Sequence, residues 1–194
     1  MPTSDGQGKD VALEWYLQIR PTTVVDVGAG AGTYAKLMRP KPPELVDYGP
    51  GRLSRWSSHP FLSVWTAIEA WEPYVAEFGL TELYDSVILS DARRLNWPTF
   101  KADLVIAGDV LEHMTREDAK ALLRRIRQGA ANLIVSIPVL HLPQGAVNGN
   151  PYERHVDHWT AGSMRNELDA DGTVKAEWVG DVLAYFWWSR EVSN

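Results

Sequence analysis

The stretch "VVDVGAGAGTYAKLM", residues 24–38, joins a β-branched apolar run to three alternating glycines and then to helix-forming residues. This order predicts a buried strand, a tight turn and a helix. Glycine allows the positive φ angles of such a turn and removes the Cβ that would block a ligand, while the first N–H groups of the helix can bind a polar or anionic group. The pattern indicates a ligand-binding turn, and a packing turn without a ligand is the alternative.

The charge beside this turn narrows the class of ligand. Asp26 lies near the end of the apolar run, where a carboxylate costs free energy unless it has a partner. It would repel a pyrophosphate, and it suits a ligand with a positive centre, such as S-adenosylmethionine (AdoMet) with its ammonium and sulfonium groups. The G-x-G-x-G spacing also differs from the G-x-G-x-x-G usual for nicotinamide dinucleotides. A second role for Asp26, accepting hydrogen bonds from its own turn, is compatible with the first.

The rest of the chain alternates apolar strands with helices, which is typical of a parallel sheet covered on both faces. Strands are predicted at 22–28, 63–70, 84–95 (with its exit), 102–110, 132–140, 174–180 and 182–189, and helices at 9–20, 33–39, 72–79, 115–129 and 160–170. The last two strands are joined only by Gly180-Asp181, so they must be antiparallel neighbours. The predicted fold class is α/β, a doubly wound, mostly parallel seven-stranded sheet with an antiparallel C-terminal strand pair and helices on both faces.

Composition sets further limits. The chain has 194 residues, a net charge of −6, nine tryptophans and no cysteine, which excludes disulfides, thiolate metal sites and cysteine nucleophiles. We expect one domain, 1–194, with a Pro-rich insertion at 40–61. The acidic charge disfavours nucleic acid, and no signal peptide or membrane-spanning run is evident, so we expect a cytoplasmic protein that is a monomer or homodimer. The tryptophans fit an aromatic core or, alternatively, a pocket lining.

Four acidic residues each follow a different predicted strand: Asp26, Glu69, Asp91 and Asp109. In an open parallel sheet, ligands bind outside the carboxyl ends of the strands. Any one of these acids can be a cap or a solvated loop charge. Their joint placement at four strand ends instead predicts one shared binding site.

With these motifs the sequence resembles the class I AdoMet-dependent methyltransferases over residues 22–140. The matching segments are "VVDVGAGAGTY", "VWTAIEA", "LSDARRL" and "ADLVIAGDVLEHM", and the "DVLEHM" form is similar to the branch that methylates small molecules. The resemblance implies that AdoMet is the cofactor, that Glu69 binds the ribose hydroxyls, and that Asp91 and Ala92 contact the adenine. The implied cofactor-binding residues are Asp26, Gly28, Ala29, Gly30, Gly32, Tyr34, Glu69, Ala70, Asp91, Ala92, Asp109 and Val110.

One departure from the family pattern concerns the ribose acid. Glu69 follows Gly32 by 37 residues, where about 20 residues is the usual separation. The excess is the insertion 40–61, which would be a lid, part of the acceptor pocket or a plain surface loop. Asp47 within it is an alternative ribose acid, but Glu69 is preferred because a β-rich segment directly precedes it.

Histidines are the candidate bases for methyl transfer, because their pKa lies near neutrality. We predict a catalytic role among His113, His141, His155 and His158, with loop 141–159 on the acceptor side. His155, Asp157 and His158 would also suit a metal ion, but their spacing matches no strong metal signature, so no metal is predicted. The predicted function is an AdoMet-dependent methyltransferase with a small-molecule acceptor, methylated at oxygen, nitrogen or carbon. The alternatives are an NAD(P)-dependent Rossmann oxidoreductase and a non-catalytic AdoMet-fold binding module.

Overall fold

The computed structural model describes residues 6–39 and 63–190. The predicted insertion 40–61 and its candidate Asp47 lie outside these ranges. The described strands are β1 (Thr23–Val27), β2 (Val64–Glu69), β3 (Ser86–Leu89), β4 (Ala102–Gly108), β5 (Ala130–Pro138), β6 (Thr173–Val179) and β7 (Leu183–Ser189). The described α-helices are α1 (Lys9–Ile19), α2 (Thr33–Met38), α3 (Glu72–Glu77), α4 (Leu80–Leu83), α5 (Arg116–Gly129) and α6 (Ala161–Leu168).

The strands form one sheet in the order β3-β2-β1-β4-β5-β7-β6. The first five in this order are parallel, and β7 is antiparallel to both β5 and β6. The predicted fold class is therefore confirmed, with the refinement that β7 alone runs against the other strands. In the sheet, β2 lies on one side of β1 and β4 lies on the other. The strand order therefore reverses between β1 and β4, and open α/β sheets form their ligand crevice at such a point.

Apolar residues on both faces of the central strands explain the helical layers. In β1, Val24 packs in the core beneath α1 and α2, whereas Val25 packs in the core on the opposite face, beneath α5 and α6. This alternation follows from the period of two along a strand. Strand β4 is buried on both faces through Leu104 to Ala107, as expected for the centre of a parallel sheet.

Local signals set the helix bounds. Thr115 caps α5, since its side chain accepts a hydrogen bond of 3.2 Å from the backbone N–H of Asp118. The helix predicted at 72–79 corresponds to α3, and the sequence analysis did not predict α4, which begins directly after Gly79, where φ is +62°. Within the described ranges, no helix is both long enough and apolar enough to cross a membrane.

Candidate active site

A cavity of about 660 Å³ opens at the carboxyl ends of β1, β2, β3 and β4. Its volume is within the range of roughly 300–1,000 Å³ that small-molecule sites occupy. Most of the predicted cofactor residues line it, namely Gly28, Ala29, Gly30, Tyr34, Glu69, Ala70, Asp91, Ala92, Asp109 and Val110. The structure therefore brings residues from four separate segments to one cavity. Asp26 and Gly32 are not among the lining residues.

The glycine turn forms one wall of this cavity. The backbone N–H groups of Gly28 and Ala29 both donate to the carbonyl of Ile68, at 2.8 and 3.2 Å, which holds the turn against the end of β2. Gly28 has a φ of +66°, and a Cβ there would meet Val110 at 2.9 Å. Gly30 has a φ of +51°, and a Cβ there would meet only the Gly28 carbonyl oxygen, at 3.7 Å. The turn thus needs glycine for its backbone conformation, and a side chain at Gly30 would meet no closer neighbour than this carbonyl.

Glu69 joins the glycine turn to the loop after β2. Its Oε2 accepts a hydrogen bond of 2.9 Å from the backbone N–H of Gly30, and its Oε1 accepts one of 2.8 Å from Trp71. Burial raises the pKa of this carboxyl, and the backbone hydrogen bonds partly offset the increase. Each carboxylate oxygen has a second acceptor position. Glu69 is therefore positioned to accept further hydrogen bonds from hydroxyl groups in the cavity.

Asp26 lies behind the glycine turn. It shares a strand face with Val24, and so its side chain is directed into the core beneath α1 and α2. The Tyr84 hydroxyl donates a hydrogen bond of 2.6 Å to its Oδ2. Burial raises the pKa of Asp26 to about 7, against the lowering effect of this hydrogen bond, and the nearby charge of Glu69 contributes to the increase.

Asp91 is engaged by an arginine that the sequence motifs did not indicate. The guanidinium of Arg93 forms an ion pair of 2.6 Å with Asp91 and a second one of 2.9 Å with Asp118. Burial raises the pKa of Asp91, but the hydrogen bonds and charge of Arg93 outweigh that effect and hold the pKa below its usual range. Asp91 is thus a fixed anion in the cavity wall.

A buried hydroxyl network supports the fourth strand end. The Ser136 hydroxyl donates a hydrogen bond of 2.6 Å to Asp109, whose φ is +51°. Tyr34 contacts the hydroxyls of Ser136 at 3.1 Å and Tyr185 at 3.3 Å. Gly108 allows the Tyr34 ring to lie against β4, because a Cβ at Gly108 would be 2.2 Å from that ring. Ser136, in the otherwise apolar segment 133–138 of β5, was the one sequence signal for this network.

The four predicted histidines form two separate pairs. His113 and His155 line the main cavity with ring centroids 5.0 Å apart, and burial lowers the pKa of His113. His141 and His158 contact each other with centroids 5.1 Å apart, in a neighbouring cavity of about 580 Å³. Of the four candidate bases, His113 and His155 are therefore the two that face the site of the predicted cofactor residues.

Loop 141–159 contributes further residues to the main cavity, among them Leu142, Gln144, Tyr152 and Glu153. Glu112, which lies in the motif of the fourth strand, also lines the cavity although it is only 2% exposed. Burial raises the pKa of Glu112, and the charge of Asp109 adds to the increase.

None of the eight tryptophans in the described ranges lines this cavity, and five of them are buried in the core.

No protein-family model and no curated protein sequence matches the chain. Several solved structures are similar to this chain over nearly its whole length. Magnesium protoporphyrin IX methyltransferase from Synechocystis PCC 6803 with bound SAH has a TM-score of 0.65 and 17% identity, over 95% of this chain and 83% of that one. A S-adenosylmethionine-dependent methyltransferase from Clostridium acetobutylicum ATCC 824 has a TM-score of 0.67 and 10% identity, over 97% and 93%.

A third similar structure is the N-terminal domain of EvdMO1 in the presence of SAH and D-fucose, with a TM-score of 0.60 and 15% identity over 96% and 84% of the two chains. The strand order of this protein agrees with that shared architecture. The chain therefore has the Rossmann-like fold of the class I AdoMet-dependent methyltransferases, as its sequence predicted. At these identities the likeness concerns the fold.

Proposed function

We propose that this protein is an AdoMet-dependent methyltransferase acting on a small molecule. The observation that carries the proposal is the convergence of the glycine turn, Glu69, Asp91 and Asp109 on one cavity at the strand ends. This arrangement offers a tight backbone turn and three carboxylates in the lining of one cavity. The similar structures that contain SAH, S-adenosylhomocysteine, support the same cofactor.

The charge of the site favours AdoMet over a dinucleotide. Glu69, Asp91 and Asp109 line the cavity, and Asp26 lies close enough that the charge of Glu69 raises its pKa. Asp91 is paired with Arg93, and the pKa of Asp26 is raised to about 7. Glu69 and Asp109 are therefore the acids that attract the ammonium and sulfonium of AdoMet and repel the pyrophosphate of NAD(P). In this assignment Glu69 accepts hydrogen bonds from the ribose hydroxyls, and the segment of Asp91 and Ala92 contacts the adenine.

Methyl transfer needs the acceptor to lie in line with the sulfonium–methyl bond. The carbon–sulfur bond breaks as the acceptor forms its bond to the methyl carbon, and SAH leaves as the product. An acceptor hydroxyl loses its proton in this process. His113 and His155 are the candidate recipients because both line the cavity, and residues 142–155 would contact the acceptor. Oxygen is our preferred acceptor atom, ahead of nitrogen and carbon.

Calorimetry with AdoMet, SAH and NAD tests the cofactor assignment. We expect the two adenosyl ligands to bind and NAD not to bind. Glu69→Ala should weaken AdoMet binding by about 10- to 100-fold, because hydrogen bonds to a charged group contribute roughly 1.5–3 kcal/mol. Glu77→Ala is the matched control, since Glu77 is exposed at the end of α3 and does not line the cavity.

Three outcomes would change the proposal. If neither adenosyl ligand binds, the methyltransferase assignment fails, and binding of NAD instead would favour an oxidoreductase. If AdoMet binds but no acceptor is methylated in a broad screen, a non-catalytic binding module is favoured. If Glu69→Ala binds AdoMet normally and Asp47→Ala does not, the ribose contact belongs to Asp47.

A further inference from the structure

Three potential metal ligands lie together in the wall of the cavity. One donor atom from each of Glu112, His113 and His155 lies within 4.8 Å of the others. Ligands of one bound ion lie about 3–4 Å apart when the metal–ligand distances are about 2.0–2.2 Å. The three side chains therefore need only a small contraction to share an ion. Two of them are adjacent in sequence, and loop 141–159 supplies the third.

Each of the two histidines has a backbone carbonyl partner at its Nδ1. His113 Nδ1 lies 3.2 Å from the carbonyl of Arg154, and His155 Nδ1 lies 2.6 Å from the carbonyl of Leu142. A carbonyl oxygen can only accept, so each Nδ1 donates its hydrogen, and in a neutral ring the lone pair is then on Nε2. Metal-binding histidines almost always have such a carbonyl or carboxylate partner, which fixes the ring and its tautomer.

Glu112 supplies the second, independent observation. Its side chain is only 2% exposed, yet its Oε2 has no hydrogen-bond partner among the described residues. A buried carboxylate oxygen without a partner is costly, and buried charges are usually paired or bound to metal ions. A cation between Glu112 and the two imidazoles would satisfy this oxygen.

The neighbouring acidic residues are not ligands in this group of Glu112, His113 and His155. Asp157, although close in sequence to His155, forms an ion pair of 2.6 Å with Arg116, so it is already neutralised. Asp109 and Glu153 are not members of the cluster, but their charges act on Glu112 and add negative potential around it. The site therefore attracts a cation without further ligands from these residues.

We propose that Glu112, His113 and His155 bind one divalent transition-metal ion in the wall of the main cavity. Two imidazoles and one carboxylate suit Zn²⁺, Mn²⁺, Fe²⁺, Co²⁺ or Ni²⁺, whereas Mg²⁺ and Ca²⁺ prefer oxygen ligands alone. Three protein ligands leave coordination positions open to the cavity. The sequence had indicated no metal, because the cluster joins two segments that are separated by more than 40 residues.

The open coordination positions of the ion would bind the methyl acceptor, an inference that rests on the proposed function. With the ion bound, His113 and His155 would be ligands and could not take the acceptor proton themselves. An acceptor oxygen bound to the ion would instead release its proton to solvent more readily, because a metal ion lowers the pKa of a bound hydroxyl or water. The metal would also orient that oxygen toward the methyl donor. The acceptor class is then a small molecule that presents a hydroxyl group to the metal.

The test uses tag-free protein that has been treated with a chelator and dialysed. Calorimetry with Zn²⁺ and Mg²⁺, and absorption spectra with Co²⁺, measure metal binding without AdoMet. We expect one Zn²⁺ per chain, ligand-field bands of bound Co²⁺, and much weaker binding of Mg²⁺. Glu112→Gln and His155→Ala should each lower Zn²⁺ affinity by at least the roughly 10- to 100-fold that changes around metal sites cost.

His158→Ala is the matched control, because His158 belongs to the other histidine pair and should leave Zn²⁺ affinity unchanged. Circular dichroism confirms that each variant is folded. The proposal is overturned if Zn²⁺ does not bind, if both cluster variants bind it as the wild type does, or if His158→Ala loses it equally. AdoMet titrated into the same samples separates the two proposals: AdoMet binding without Zn²⁺ binding contradicts only the metal site, and the reverse contradicts only the cofactor assignment.

Discussion

The Tyr84 hydroxyl donates a 2.6 Å hydrogen bond to Oδ2 of Asp26, a carboxyl that is 1% exposed beneath the glycine turn. One neutral donor does not replace the water that a carboxylate loses on burial. As a result the pKa of Asp26 rises to about 7. The turn that lines the cavity therefore rests on a group whose charge changes near neutral pH.

Because the pKa of Asp26 is raised in the folded protein, the free energy of unfolding should depend on pH. Unfolded Asp has a pKa of about 3.9, so between about pH 4 and pH 7 the folded protein keeps a proton that the unfolded chain has lost. Stability should therefore fall as pH rises through this window, by about 1.4 kcal/mol per unit from Asp26 alone. Urea unfolding of wild type and Asp26→Asn across this range measures it.

Asp26→Asn removes the titrating group and keeps an oxygen for the Tyr84 hydroxyl. Its stability relative to wild type should increase as pH rises through the window and level off above it. Groups distant from Asp26 contribute equally to both proteins, so the difference reports Asp26 together with its coupling to Glu69. A difference that does not vary with pH would show that Asp26 is ionised in the folded protein throughout.

The second prediction concerns the contact between β4 and Tyr34. A Cβ at Gly108 would lie 2.2 Å from the Tyr34 ring, and so Gly108→Ala must displace that ring. We expect a loss of about 1–3 kcal/mol in the free energy of unfolding, which is the usual cost of overpacking. Gly145→Ala, at a position with no neighbour within 4 Å, should change stability by less than about 0.5 kcal/mol. Equal stability of the two variants would contradict the contact.

The third prediction concerns the start of α5. Thr115→Ala removes the side-chain acceptor for the N–H of Asp118, and should lower stability by about 1 kcal/mol. Thr115→Ser retains the hydroxyl and should restore most of that loss. Thermal or urea unfolding of the pair gives the comparison. A serine variant no more stable than the alanine variant would mean that the methyl group, and not the cap, stabilises this end of the helix.

Local patterns predicted much of this fold because the signals are short in sequence. The glycines after β1, the apolar run of β4 and the cap at Thr115 can each be recognised from a few consecutive residues. The same holds for the strand ends that carry Glu69 and Asp109. These residues reach one cavity because parallel strands align their carboxyl ends.

The remaining features of the site depend on contacts between distant segments, which no local pattern encodes. Tyr84 reaches Asp26 across 58 residues, and Arg93 neutralises Asp91 through a guanidinium that the motif does not specify. The course of loop 141–159 decides how the histidines pair. It places His155 beside His113, and it places His158 beside His141. The grouping of His155, Asp157 and His158 by sequence proximity was therefore a poor guide to their arrangement.

The last prediction concerns the anchor of that loop. Arg116, the first residue of α5, donates from Nε to Asp157 at 2.6 Å and from Nη2 to Asp157 and the His158 carbonyl. Its guanidinium also lies 3.8 Å from the ring centroid of Trp159. Lysine keeps the charge but not the planar fork of donors, so Arg116→Lys should loosen the segment that carries His155.

Hydrogen exchange of the Val156 and Asp157 amides reports this loosening directly, because both N–H groups donate to the Glu112 carbonyl, at 2.7 and 3.1 Å. We expect these amides to exchange about 10-fold faster in Arg116→Lys, which corresponds to a local loss of roughly 1.4 kcal/mol. Arg124→Lys is the matched control, since Arg124 is exposed on the same helix. Unchanged exchange in Arg116→Lys would mean that other contacts, among them those of Glu112 and His113, hold the loop beside the cavity.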